Sequence, residues 1–360
     1  VIDTLHEGGP PIPLRMAPMV LVGTVLTHLF GGSAGREGTA VQMGASLADN
    51  LAQRLRASAP LRRQLLAAGA AGGFGAVFGT PVAGTVFGLE LVVLGHVEYH
   101  ALWPALVAAV VGDMTTRALG VEHTPYPATE VLVLTPAVTM RWVVFAAAVA
   151  AVTVAFIELT HGLKRLGERY APRLPLRMAW GGVAVVMLWR VAGTSEYLGL
   201  GVPGILRAFV DPSLPPFAFG AKLVFTAVTL AAGFLGGEVT PLFFVGAALG
   251  NVLARVLHLP LGLGAGVGLA ATFAAAANTP LALCIMAVEL LGAPVFPHAA
   301  LVCVLAYLLT GHRGIYPSQR LRRAKGGAPL PHDTRLRDAG PEGAPGEVRP
   351  AAPGEPPPAP

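Results

Sequence analysis

The chain has 360 residues, 54% of them hydrophobic and only 12% charged, with a mean hydropathy of +0.63 and a formal net charge of +5. A soluble domain carries roughly 25% charged residues, so an ordinary water-soluble enzyme or binding module is excluded and an all-α, polytopic membrane protein is expected. The positive balance does not point to nucleic acid, because the basic residues fall in short polar loops and in the tail.

In chain order, Val1 rather than Met comes first, and no apolar core of a signal peptide precedes Pro13, so the chain is read as a fragment without a signal peptide. Apolar runs follow near 17–30, 64–94, 101–119, 140–160, 179–192, 218–235, 241–257, 262–277, 279–292 and 295–310. Many are too short, or too broken by Gly and Pro, to be simple spans of about 20 residues. Discontinuous helices are therefore expected. Non-helical backbone at membrane depth must be buried in protein or line an aqueous cavity, which points to a transport pathway. The alternative use of so much glycine is tight helix packing.

The stretch Gly31-Gly32-Ser33-Ala34-Gly35-Arg36-Glu37-Gly38-Thr39 sets two charges inside lipid-compatible sequence, where charge is costly and rarely incidental. Three basic clusters, Arg54 to Arg63, Lys164 to Arg177 and Arg313 to Lys325, are expected to face the cytoplasm by the positive-inside rule. A second glycine-rich stretch, Gly236-Gly237-Glu238-Val239-Thr240-Pro241, places another glutamate in the same setting. Cys284 and Cys303 lie in apolar helices without ligand-spaced partners, and His28, His96 and His100 have no metal-site spacing. Neither a disulfide, a metal nor a cofactor is expected. From 326 to 360 hydrophobic residues become sparse, and a disordered cytoplasmic tail is expected.

The chain repeats itself. Gly44-Ala45-Ser46-Leu47 lies on Gly246-Ala247-Ala248-Leu249 with a constant offset that also sets Glu37 on Val239 and Thr39 on Pro241. After a three-residue deletion, Thr80-Pro81 with Glu90 matches Thr279-Pro280 with Glu289. Duplicated membrane units are often inserted in opposite orientations, so that their broken helices aim N-terminal ends at a common midplane site. Such ends, with unpaired N–H groups and the positive end of the helix dipole, bind anions.

Burial disfavours an ionised Glu37, while the helix start near Gly38 and the adjacent Arg36 favour it. Its carboxylate can then occupy the anion site, take up a proton and swing away. A static ion pair with Arg36, or a helix cap, is the competing reading. Glu238 is either a second protonatable group or an N-cap. Glu90 and Glu289 occupy equivalent positions, which favours structural roles. Asn278 offers its amide to an anion or to carbonyls freed at the helix break. Tyr316 is either an interfacial anchor or a hydroxyl donor at the inner mouth of the pathway.

Gly35-Arg36-Glu37-Gly38-Thr39 resembles the Gly-Lys/Arg-Glu-Gly-Pro motif of the CLC family of chloride channels and proton-coupled anion antiporters. Gly237-Glu238-Val239-Thr240-Pro241 resembles that family's Gly-x-Phe-x-Pro motif, and Tyr316 falls where the family places its central tyrosine. Thr39 for proline and Val239 for phenylalanine are similar to the fluoride-exporting branch. The resemblance implies a CLC fold of two inverted repeats and a homodimer with one ion pathway per subunit, in a bacterial inner membrane. It implies exchange of cytoplasmic fluoride for protons, with Glu37 as the gate and Glu238 as a second mobile carboxylate. Gly35, Arg36, Gly38, Thr39, Val239, Thr240, Asn278 and Tyr316 are the expected anion-site residues. The first repeat is assigned to 1–120 and the linker helices with the second repeat to 121–325. The alternatives are a chloride/proton antiporter or chloride channel of the same fold, a membrane-embedded enzyme using Glu37 and Glu238, and a transport-dead scaffold. Leu91 directly follows Glu90 where many chloride/proton antiporters have an inner proton glutamate, so a different proton route is expected.

Overall fold

Both Thr-Pro steps break helices, and the two breaks organise the molecule. Helix α4 (Ala59–Phe78) ends at Gly79 with φ 70°, Thr80 leaves helical geometry (φ −125°, ψ 75°), and Pro81 starts α5 (Pro81–Glu90). Helix α12 (Leu261–Ala277) ends at Asn278 with φ 59°, and Pro280 starts α13 (Pro280–Leu291). Left-handed backbone suits Gly and Asn, while proline at the first helical position sacrifices no hydrogen bond. The computed structural model describes residues 2–5, 9–91, 93–94, 99–127, 129–130, 132–323, 325 and 329–336.

Around these breaks lie α1 (Ile2–Leu5), α2 (Met16–Leu29), α3 (Glu37–Arg54), α6 (Leu102–Ala118), α7 (Pro136–Tyr170), α8 (Leu174–Ala192), α9 (Val202–Val210), α10 (Ala218–Ala231), α11 (Val239–Leu257) and α14 (Phe296–Leu309). Among the described residues, α7, α8 and α11 are long and apolar enough to cross a membrane. Helix α8 turns Trp180, Met187 and Val191 outward, whereas α12 is buried along nearly its whole length.

Glycine also serves packing. Gly44 of α3 meets Gly69 of α4, and the equivalent Gly246 of α11 meets Gly268 of α12, with no room for a Cβ at either crossing. Small residues allow this close backbone approach.

The late glutamates are reciprocal caps. Glu90 accepts hydrogen bonds from the N–H groups of Leu281 (3.2 Å) and Ala282 (2.9 Å) in the first turn of α13. Glu289 accepts from Val82 (3.0 Å) and Ala83 (2.7 Å) in the first turn of α5. Each repeat thus closes the other's post-break helix through equivalent atoms, in a two-fold arrangement. Because a carboxylate already serves those N–H groups, the hydroxyls of Thr80 and Thr279 at the cap positions have no partner.

A small three-stranded sheet accompanies the helices of the expected all-α fold. Strand β1 (Val93–Leu94) runs parallel to β2 (Arg320–Arg323), which pairs antiparallel with β3 (Pro329–Arg335). Strand β3 falls in the tail 326–360 that was expected to be disordered. Main-chain pairing with β2, and a small cluster of Leu321 and Leu336 against Tyr307, supply order there. The remainder of that tail and His96 lie outside the described residues.

Sequence patterning also overlooked Lys222, which is fully buried in α10. Its ammonium donates to the carbonyls of Gly199 (2.7 Å) and Tyr197 (3.1 Å) and lies 5.7 Å from the Phe244 ring. It ties the loop before α9 to α10 and α11. Lys222→Met fills the volume but leaves two carbonyls unpaired, at about 1–3 kcal/mol for each buried group. A lower melting temperature in detergent than wild type is the expected result.

Candidate functional site

The two glycine-rich stretches meet face to face. Gly35 N–H donates to Gly237 O (2.6 Å) and Gly237 N–H donates to Gly35 O (2.7 Å), forming an isolated antiparallel bridge. These residues are separated by the same offset that sets Gly44 on Gly246, so the repeat in sequence is a contact in space. Helix α3 starts at Glu37 and α11 at Val239, with Arg36 and Glu238 in the equivalent cap positions. A Cβ on Gly237 would stand 2.7 Å from Gly38 N, and one on Gly35 would overlap the Glu37 carboxylate. Glycine is required where two helix starts approach this closely.

Glu37 is only 3% exposed. Its carboxylate accepts from Arg36 N–H (3.0 Å), from Thr240 N–H (3.3 Å) and, through a short hydrogen bond, from the Thr240 hydroxyl. An internal anion therefore sits against the first turn of α11, where dipole and free N–H groups favour negative charge. The Arg36 guanidinium is 4.0 Å away with its side chain 54% exposed, too loose to be the main restraint.

The remaining expected site residues divide into two groups. Val239 is buried in the apolar core beside this anion, and Tyr316 lies within electrostatic reach of both Glu37 and Glu238. Glu238 in turn lies within electrostatic reach of Lys164, toward the C-terminal end of α7. Thr39 instead shares a 2.6 Å hydrogen bond with Thr24 of α2. Asn278 donates to Arg313 O (3.1 Å) and Gln319 Oε1 (3.3 Å), while its own Oδ1 accepts from Lys325 (2.7 Å). Its amide is spent on the chain beyond α14 and on Gln319.

Two contributors, Tyr126 and Gln319, escaped sequence reading, and His28 was named there only as lacking metal-site spacing. Tyr126, in the loop after α6, stands within electrostatic reach of Glu37 and Arg36 and packs 5.7 Å from the Phe209 ring. His28 braces the loop leading to Glu37, with its ring nitrogens 2.7 Å from Thr24 O and 3.0 Å from Ala34 O. Gln319 is fully buried behind Tyr316. None carries a motif, and only proximity identifies them.

Comparison with known proteins identifies the family and the fold. Residues 1–311 match the voltage gated chloride channel family. The chain is 46% identical to a chloride/fluoride channel protein of Pseudomonas syringae pv. tomato, over 94% of this chain and 76% of that one. It is 30% identical to a putative ClcB-like chloride channel protein of Ralstonia nicotianae, covering 88% of this chain and 76% of the relative. Its structure is similar to that of a CLC-type fluoride/proton antiporter, with a TM-score of 0.86, 38% identity and coverage of 89% and 81% of the two chains. A slow cyanobacterial Cl−/H+ antiporter shares the fold, with a TM-score of 0.74 at 21% identity over 86% and 75% of the chains. The chain belongs to the voltage gated chloride channel (CLC) family, a family of membrane transporters rather than of enzymes.

Proposed function

We propose that this protein is a secondary active fluoride/proton antiporter that exports cytoplasmic fluoride. The observation that carries the reading is the Glu37 carboxylate seated on the start of α11 and held by Thr240, an anion of the protein's own in an anion site. An incoming anion displaces that carboxylate; Glu37 takes up a proton, swings away, and returns after releasing it. Each return expels an anion, which couples the two fluxes. Glu238 serves as the second protonatable group toward the cytoplasm. Gly35, Arg36, Gly38, Thr39, Val239, Thr240, Asn278 and Tyr316 form the surrounding ion pathway, by contact or by holding its walls.

Fluoride is favoured over chloride because it is small and strongly hydrated, so its site must replace lost water with strong donors such as N–H groups and hydroxyls. Thr240 beside Glu37 fits that need, and the likeness to a fluoride/proton antiporter at 38% identity supports it. We assign residues 1–120 to the first repeat, 121–325 to linker helices and the second repeat, and the segment beyond to a cytoplasmic tail. The protein acts as a homodimer in the bacterial inner membrane. The basic ends of α3 and α7 and the Arg313–Glu158 pair (2.9 Å) all belong to its cytoplasmic side.

Purified protein in liposomes tests the reading. Fluoride efflux, followed by electrode, is expected to exceed chloride efflux by about tenfold or more, a difference of roughly 1.4 kcal/mol. It is also expected to drive proton uptake. Chloride moving as fast as fluoride overturns the fluoride assignment.

A further inference from the structure

We infer that Gln319, acting with Asn278, is a positioning residue that sets the Tyr316 hydroxyl in the ion pathway. The inference rests on Tyr316 belonging to that pathway. Gln319 has no exposed surface. Its amide nitrogen donates to Ala277 O (2.8 Å) at the end of α12 and to Leu91 O (3.2 Å) at the end of α5. Its amide oxygen accepts from Asn278 (3.3 Å). Carbonyls at helix ends lack intrahelical partners, so one side chain caps an end from each repeat.

The same residue closes the turn that presents Tyr316. Gln319 N–H donates to Tyr316 O (3.1 Å), and its own carbonyl accepts from Leu336 N–H (2.8 Å). Upstream, Ile315 N–H donates to Ala276 O (2.9 Å) and Asn278 holds Arg313 O. The segment from Arg313 to Gln319 is therefore pinned on both sides of Tyr316, to the second repeat at Ala276 and Ala277 and to the first at Leu91. A hydroxyl that must meet the passing ion at a defined place needs a fixed base, since misplacement by about 1 Å costs on the order of 100-fold in rate.

Fluoride and proton fluxes in liposomes should be measured for Gln319→Met, Tyr316→Phe and the double variant. Gln319→Met is expected to raise the apparent KM for fluoride by about tenfold and to lower the number of protons moved per fluoride. A mere loss of folded molecules lowers the maximal rate and changes neither quantity. The double variant is expected to be no slower than Tyr316→Phe alone. Multiplying losses, or an unchanged KM and proton ratio in Gln319→Met, overturn the positioning role and leave Tyr316 in the pathway. Wild-type fluxes in Tyr316→Phe overturn the pathway reading of Tyr316 and this inference with it. If Gln319→Met does not fold, Asn278→Gly gives the same readouts, because Gly79 at the equivalent break shows that glycine suits this backbone.

Discussion

Glu37→Gln is expected to reduce fluoride-driven proton uptake to the level of protein-free liposomes. Glutamine has nearly the same shape, and its amide oxygen still accepts from the Thr240 hydroxyl, so the fold survives. What disappears is the titratable group and the negative charge that faces Arg36 N–H and Thr240 N–H. Hydrogen bonds to a charged group contribute about 1.5–3 kcal/mol each, against about 0.5–1.5 for neutral ones. The gate therefore loses affinity for its own site as well as its proton. Thr240→Val is the informative contrast: it removes one donor and leaves the carboxylate, so transport slows while protons still accompany fluoride. Simultaneous electrode and pH traces decide the matter. Fluoride-driven proton uptake persisting in Glu37→Gln shifts the coupling role to another carboxylate, with Glu238 first in line.

Glu90→Ala is expected to destabilise the fold strongly, and more than Glu289→Ala. It orphans the N–H groups of Leu281 and Ala282 in the first turn of α13. A buried donor without a partner costs about 1–3 kcal/mol, so the loss is about 2–6 kcal/mol for the pair, reduced if the idle Thr279 hydroxyl rotates in to help. Glu289→Ala breaks the equivalent bonds to Val82 and Ala83. Glu289 is exposed on the single chain, where water replaces the carboxylate, so its effect is smaller. Thermal unfolding in detergent should rank Glu90→Ala below Glu289→Ala, and both below wild type. The reverse order would contradict this account of the caps.

Both results depend on features that were partly legible in the sequence. The helix breaks at Thr80-Pro81 and Thr279-Pro280 follow from backbone rules within a few residues, and they lie where the sequence put them. The offset that aligned Gly44 with Gly246 also relates Gly35 to Gly237, which pair in the structure. Glu90 and Glu289 were recognisable as a structural pair by symmetry, although not which atoms they serve. Lys222 and Gln319 left no trace of their importance. A lone lysine in an apolar run has no period, and a glutamine after Tyr316-Pro317-Ser318 looks like loop.

Asn278 marks the boundary between the two kinds of knowledge. Its place after an alanine-rich helix identified it as polar at a break, with two uses open. The structure spends both amide hydrogens on Arg313 and Gln319, residues 35 and 41 positions away.

The sequence by itself determined a helical membrane protein, its repeat, its interruptions and the glutamate at its centre. Those properties reside in composition, local backbone preference and spacing along the chain. Only the tertiary structure decided that Glu37 rests on Thr240, that each repeat caps the other's helix, and that Gln319 stands behind Tyr316. Such contacts join groups as many as 228 residues apart. Direction, distance and burial select them, and no one of the three is encoded in a local pattern.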